Sequence, residues 1–156
     1  MPAKKNGKAP YICGPLTELP SAEQAKLKAA YSEMGDVCGE VLGVRAFVPH
    51  EHYDPVAHPN ATPQEVDLAE RAQVCKHTSM LIVVAHFPSW GGGIEVEMAH
   101  RSHVVALLFR RRGQPCSRLL RGNPAIQEIV EYDHISELPE RLRAALLRKR
   151  GLQQVT

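Results

Sequence analysis

Glu95 and Glu97 stand just behind three consecutive glycines in the stretch HFPSWGGGIEVEMAH, residues 86–100. Glycine accepts backbone angles that other residues resist and lets a ligand approach the chain closely. A helix opening after such a stretch presents unpaired N–H groups and a positive dipole end. That combination suits an anion or a sugar phosphate. On a helix, residues two apart point about 200° away from each other, so only one of the two glutamates can face a pocket. Gly91 and Gly92 before Glu95, and Ala99 one turn after it, leave room for a ligand at Glu95. Glu97 is left to face solvent, a partner or a partly buried network. A first-turn carboxylate is favoured as an anion, which suits a nucleophile better than a general acid. Two plainer readings stand beside this one: a tight strand-to-helix turn with no ligand, and a Glu that only complements the dipole. The pattern is not a Walker A loop, because no Lys-Ser/Thr follows, and Val96 breaks G-x-G-x-x-G.

The elements that must position this site alternate along the chain. Pro10 to Cys13 is a short apolar run ending at Gly14-Pro15, a strand followed by a loop. Ser21 to Gly43 has helical spacing, with Ser21 as N-cap and Gly43 as the stop. Val44 to Val48 reads as a second strand closed by Pro49. A loop rich in Pro, His and Asn follows, and Thr62-Pro63 opens a helix running to about His77. Met80 to Phe87 is nearly continuous and β-branched, as in a strand buried on both faces. A helix from about Ile94 to Ser102, a strand from Val104 to Phe109, a short helical patch (CSRLLRG), a strand from Ala125 to Tyr132 and a helix from Ser136 to Arg150 complete the series. The last helix carries Leu138, Leu142, Leu146 and Leu147 on one side. Strands alternating with helices predict an α/β fold: a doubly wound, five-stranded parallel sheet with helices on both faces. Ligands in such sheets bind beyond the carboxyl ends of the strands near the switch point. The loops there are 14–20, 49–63 and 87–93, so the glycines fall where a site belongs.

Composition narrows the class. With 156 residues the chain is expected to form a single domain, with residues 1–9 flexible. The net charge of +2 is too small to argue for nucleic acid as a partner. The basic runs Arg110–Arg112 and Arg148–Arg150 read as solvated surface. Cys13, Cys38, Cys75 and Cys116 form no CxxC pair and no leader precedes them, which predicts reduced thiols in a cytoplasmic protein. No run approaches 18 apolar residues, so no membrane span is expected.

The run Pro88-Ser89-Trp90-Gly91-Gly92-Gly93-Ile94-Glu95, followed by Ala99, resembles the nucleoside 2-deoxyribosyltransferase superfamily. It looks most like the branch that hydrolyses nucleoside 5′-monophosphates, the 2′-deoxynucleoside 5′-phosphate N-hydrolases and CMP hydrolases. The opening Tyr11-Ile12-Cys13-Gly14-Pro15-Leu16 is similar to that family's first strand and loop, and the order of elements agrees over nearly the whole chain. The resemblance implies a Rossmann/flavodoxin-like fold and an N-glycosidase with Glu95 as nucleophile. Glu95 would attack the sugar C1′, expel the base and leave a glycosyl ester that water hydrolyses. It implies that Ser89 stands where the nucleoside-using transferases carry an Asp, and that its neutral hydroxyl receives a phosphate which a carboxylate would repel. It implies that Ser117, in S-x-x-x-R-G, reaches the phosphate in a neighbouring subunit's site, hence a homodimer. Read without the resemblance, Ser117 is a helix N-cap. The family's Asp on the helix before the central strand falls at Arg71 without a gap, with Asp67 one turn earlier. The first loop lacks the family's Gly-Gly-Arg, and Thr17 is the donor it offers.

Gly14, Pro15, Thr17, His50, Ser89, Gly91, Gly93 and Ser117 are therefore the expected substrate-binding residues, with Glu95 catalytic and no cofactor or metal. The loop with His50, His52 and His58 beside Glu51 and Asp54 matches no closed metal site and is read as a wall of the base pocket. His86 is read as a satisfied core histidine, with proton donation to the base as its alternative. Trp90, the single tryptophan, either shields the sugar or anchors the loop in the core. Base exchange between nucleosides and a nucleotide-binding module without turnover are the alternative functions.

Overall fold

The structure, a computed structural model, describes residues 7–17, 19–54 and 57–154. The elements are β1 (Ala9–Cys13), α1 (Ser21–Leu42), α2 (His50–Tyr53), α3 (Pro63–His77), β2 (Thr78–Ala85), α4 (Trp90–Arg101), β3 (Val105–Arg111), α5 (Arg118–Arg121), β4 (Ile126–Tyr132), a 3-10 turn (Ile135–Glu137) and α6 (Leu138–Gln153). Of the N-terminal stretch expected to be flexible, residues 1–6 lie outside the described residues, and Ala9 already belongs to β1.

The strands form one parallel sheet in the order β1-β2-β3-β4. Alternate residues point to opposite faces, so each strand feeds two cores. Ile12, Ile82, Leu107 and Phe109 meet Leu27, Tyr31, Met34, Leu138, Leu142 and Leu146 of α1 and α6. Tyr11, Cys13, Leu81, Val83 and Leu108 meet Val74 of α3 and Val96 and Ala99 of α4. Helices cover both faces, as the near-continuous apolar strands require. Leu147, expected on the apolar side of the last helix, is instead 52% exposed.

Four strands, not five, are present among the described residues. The expected second strand, Val44–Val48, is reduced to one parallel bridge between Phe47 and Tyr11. The Phe47 N–H donates to Pro10 O at 2.7 Å, and Ile12 N–H donates to Phe47 O at 3.0 Å. The next ladder donors on either side would be the nitrogens of Pro10 and Pro49, and proline has no N–H. The bridge lies outside β1 while β3 lies beyond β2, so the topological switch falls between β1 and β2.

Two helix starts differ from expectation. Pro20, not Ser21, is the N-cap of α1, and no side chain caps it. Helix α4 begins at Trp90, four residues before the expected Ile94, with Ser89 as its cap. Thr62 caps α3 as expected. Its hydroxyl accepts from the Glu65 N–H at 3.2 Å, and the Glu65 carboxylate accepts from the Thr62 N–H at 2.8 Å. Gly43 ends α1 in the left-handed region at φ 78°, its N–H bonded to Gly39 O at 3.0 Å.

Candidate active site

The earlier start of α4 moves Glu95 from the first helical turn to the second, away from the direct influence of the helix end. Its anionic form is supported instead from β1. Tyr11 donates its hydroxyl to Glu95 Oε1, and the Cys13 thiol donates to Oε2 at 2.8 Å. Both donors lie on the same face of β1, two residues apart, so the strand period aims them together. Glu95 is 8% exposed. Burial pushes its pKa up from the ordinary carboxyl range, and the bonds from Cys13 and Tyr11 oppose that push. Burial first, and the Glu95 charge next, hold both the Tyr11 hydroxyl and the Cys13 thiol in their protonated, donating forms.

Glu95 lies on the floor of a cleft of about 670 Å³ beyond the carboxyl ends of β1 and β2. One wall is the loop after β1, with Gly14, Pro15 and Thr17. At Gly14 an added Cβ would stand 2.2 Å from the Tyr31 hydroxyl oxygen, so no larger residue fits there. A second wall is the start of α4. The Ser89 hydroxyl accepts from Gly92 N–H at 3.2 Å and Ser89 O accepts from Gly93 N–H at 3.3 Å. The N–H groups of Trp90 and Gly91, which precede any intrahelical partner, are left for a ligand or water. Gly91 lines the cleft, and nothing lies within 4 Å of where its Cβ would be. Gly92 lines it as well, but Gly93, an expected contact, does not.

The third wall is α3, and here sequence reasoning missed a residue. Val66, Asp67 and Glu70 face the cleft on one helical stripe. Arg71 points away and pairs with Asp67 at 2.9 Å. Glu70 is half-buried and accepts no hydrogen bond from a described residue. Burial, then the Glu95 charge, then Asp67, push its pKa up to about 7. The cleft thus holds two carboxyls with different surroundings. Glu95 has two donors to stabilise its charge, and Glu70, with none, is pushed up into the range where a carboxyl can give and take a proton near neutrality.

The histidine loop is rearranged relative to expectation. His50 does not line the cleft. It sits in the single turn α2, with its ring 6.2 Å from that of Tyr31 and its Nε2 3.4 Å from Ser32 Oγ. Arg45 fixes this turn by bonding Glu51 at 2.8 Å and Asp36 at 2.7 Å. His52 stacks on Phe47 at 4.4 Å. Tyr53, His58 and Pro59 supply that side of the cleft instead. Ser117 caps α5, its hydroxyl accepting from Leu120 N–H at 3.4 Å, and does not line the cleft of its own chain. Trp90 is 87% exposed at the mouth, so it anchors nothing in the core. Glu97 bonds Arg101 at 3.0 Å and Asn123 at 3.0 Å, a partly buried network. His86 is buried on the opposite face of the sheet, bonded to Tyr132 at 2.7 Å and Glu23 at 3.2 Å, and does not line the Glu95 cleft. Among the described residues no three His, Cys, Asp or Glu side chains are grouped to hold a metal ion, and no helix is long and apolar enough to cross a membrane.

No family model matches the chain, and no curated protein matches it in sequence. Solved structures do share its fold, among them the following two. The solution structure of BlsM is 20% identical with a TM-score of 0.64, covering 90% of this chain and 90% of that one. The crystal structure of a conserved protein from Enterococcus faecalis V583 is 13% identical with a TM-score of 0.52, covering 88% of this chain and 98% of that one. At these identities the likeness is one of fold, and it defines the class as an α/β, Rossmann-like domain.

Proposed function

We propose that the chain is an N-glycosidase that cleaves the base–sugar bond of a nucleoside 5′-monophosphate through a covalent glycosyl–Glu95 intermediate. The observation that carries this reading is a buried carboxylate held by two donors on the floor of a cleft that a second, half-buried carboxyl, Glu70, also lines. Glu95 attacks C1′ as the C1′–N bond breaks. The bond's electron pair leaves with the base, and Glu70 gives its proton to it. Water then attacks the ester, and Glu70, now a carboxylate, takes the water's proton. Tyr53, with the apolar side chains beside it, offers a surface for the base. Thr17, Ser89 and the free N–H groups of Trp90 and Gly91 offer donors to the phosphate.

The described lining of this cleft contains no Lys or Arg. The countercharge comes from a second copy in this reading. Leu119 is 87% exposed between Arg118 and Arg121, neither of which pairs with a described residue, and Trp90 and Ile94 are exposed at the mouth of the cleft. Exposed apolar groups of this kind suit an interface, and a homodimer would bring the Ser117–Arg121 segment to the neighbour's acidic cleft.

The same lack of a cation favours a second reading, base exchange between uncharged nucleosides. A panel of nucleosides and 5′-monophosphates, assayed for base release by chromatography with and without a second free base, separates the two. Hydrolysis of monophosphates that Glu95→Gln abolishes is the expected result. Exchange on nucleosides alone selects the second reading, and tight nucleotide binding with no base released selects a binding module without turnover. If the wild type cleaves none of the panel, or Glu95→Gln cleaves as well as wild type, the nucleophile assignment is wrong.

A further inference from the structure

The run Arg110-Arg111-Arg112 reads in sequence as solvated surface, but strand alternation splits it. Arg110 pairs with Glu131 at 2.9 Å. Arg112 pairs with the same carboxylate at 3.3 Å and with Asp133 at 3.5 Å. Arg111, between them, points to the other face of the sheet and makes no hydrogen bond or ion pair with a described residue through its side chain. It is half-buried in a second cleft, of about 540 Å³, on the side of the sheet covered by α1 and α6. Lys26 of α1 also lines this cleft and is also without an ion-pair partner among the described residues. The floor is His86, which is 2% exposed and bonded through Nδ1 to the buried Tyr132 hydroxyl.

The acids around this cleft are mostly engaged. Glu23 is held by His86 Nε2 at 3.2 Å and Asp133 by Arg112, which leaves Glu33 exposed on the rim. Burial lowers the His86 pKa, so the imidazole does not cancel the Glu23 charge; Arg111 and Lys26 share the cleft with the Glu23 and Glu33 carboxylates, yet neither pairs with either. The first cleft differs in having Asp67, Glu70 and Glu95 with no described Lys or Arg. A guanidinium drawn partly out of water without a partner is costly. Its planar fork matches an oxyanion in a bidentate arrangement. Surface arginines often find a carboxylate on their own chain, as Arg110 and Arg112 do, and Arg111 has one strand neighbour on either side so engaged.

We propose that this second cleft is a binding site for a small oxyanion, a carboxylate or a phosphate monoester group, gripped by Arg111 with Lys26 as the second cation. The site is separate from the Glu95 cleft, and it stands whether or not the base–sugar chemistry holds. The neighbouring imidazole reports occupancy. Burial lowers the His86 pKa, the bond to Glu23 opposes that, and the Arg111 charge lowers it further. An anion that neutralises Arg111 removes that last effect, so the His86 pKa rises on binding.

The test uses the full chain, isotopically labelled, titrated in separate arms with inorganic phosphate and with acetate. Nuclear magnetic resonance then follows Arg111 Nε–H, the His86 ring and the amide of Gly91. The expected result is a saturable shift at Arg111 and His86 in at least one arm, with the His86 pKa raised. The responding arm identifies the anion class. Arg111→Gln should weaken the response about tenfold or more, Arg111→Lys should fall between, and Arg110→Gln should leave it intact. Should Arg111→Gln fail to fold, Lys26→Gln serves as the weakening variant. No saturable change at Arg111 and His86 in either arm overturns the proposal. So does a shift confined to Gly91, or an equal loss in the Arg110 and Arg111 variants.

Discussion

Replacing Glu70 by Gln should stabilise the protein while disabling it. The native carboxyl titrates at about 7 against an ordinary 4.5, because folding takes it from water and sets it near Glu95. A folded pKa above the unfolded one means that the native state holds the proton more tightly. The group's contribution is therefore fully present below about 4.5 and is lost as pH rises through about 7. At about 1.36 kcal/mol per pH unit the full difference is ~3.4 kcal/mol. Glu70 is only half-buried and solvent screens it, so ~1–2 kcal/mol is the expected effect. Gln keeps the shape of the protonated acid and removes the titration. Urea unfolding followed by circular dichroism should show Glu70→Gln more stable than wild type at pH 8 by that amount, with the gap closing toward pH 5. In parallel, base release should fall by ~10²–10⁴, the usual contribution of a general acid. A stability gap that does not change with pH would show that Glu70 is not held protonated, and the acid role would fall with it.

Three other substitutions probe the rest of the site. Glu95→Gln removes the neighbouring charge and should bring the Glu70 pKa below about 7, readable from the carboxyl carbon in a pH titration. Gly14→Ala places a methyl 2.2 Å from the Tyr31 hydroxyl oxygen, and that ring is 2% exposed. A loss of ~1–3 kcal/mol is expected in thermal unfolding. Gly91→Ala meets nothing within 4 Å and replaces a helical glycine, which should add ~0.5–1 kcal/mol of stability. Its KM for the nucleotide should nonetheless rise, because the added methyl occupies the open side of the cleft. An unchanged KM would show that the ligand does not approach there.

Much of the architecture was legible because buried parallel strands carry their own signature. The run MLIVVA leaves little alternative to a strand covered on both sides, and Thr62-Pro63 with Glu65 marks a helix start through purely local bonds. What was misread depends on partners distant in the chain. Pro10 and Pro49 are plain in the sequence, but their joint effect on one ladder appears only once Phe47 is known to face Tyr11. The glycines of α4 have poor helical propensity, and the Ser89 cap and the packing of Val96 and Ala99 override it. His50 was assigned to the pocket from its loop, yet one helical turn and the Arg45–Glu51 contact direct it toward Tyr31. Glu70 carries no signal of its own in the sequence, standing between Asp67 and Arg71 on an ordinary charged helix. The stripe Val66, Asp67, Glu70 and Val74 was present at helical spacing. The role of Tyr11 and Cys13 could not be read from either segment alone, since it exists only where β1 meets α4.

The two prolines that truncate the Phe47 bridge have a consequence for assembly. An open sheet margin normally presents a row of donors and acceptors on which a foreign strand can dock and aggregate. Here Pro10 contributes no donor to the outer margin of β1, and its carbonyl is already occupied by Phe47, as is the Ile12 N–H. Little remains for an intruding chain to pair with. The residues that cost the fold its fifth strand also deny that margin to amyloid-like growth.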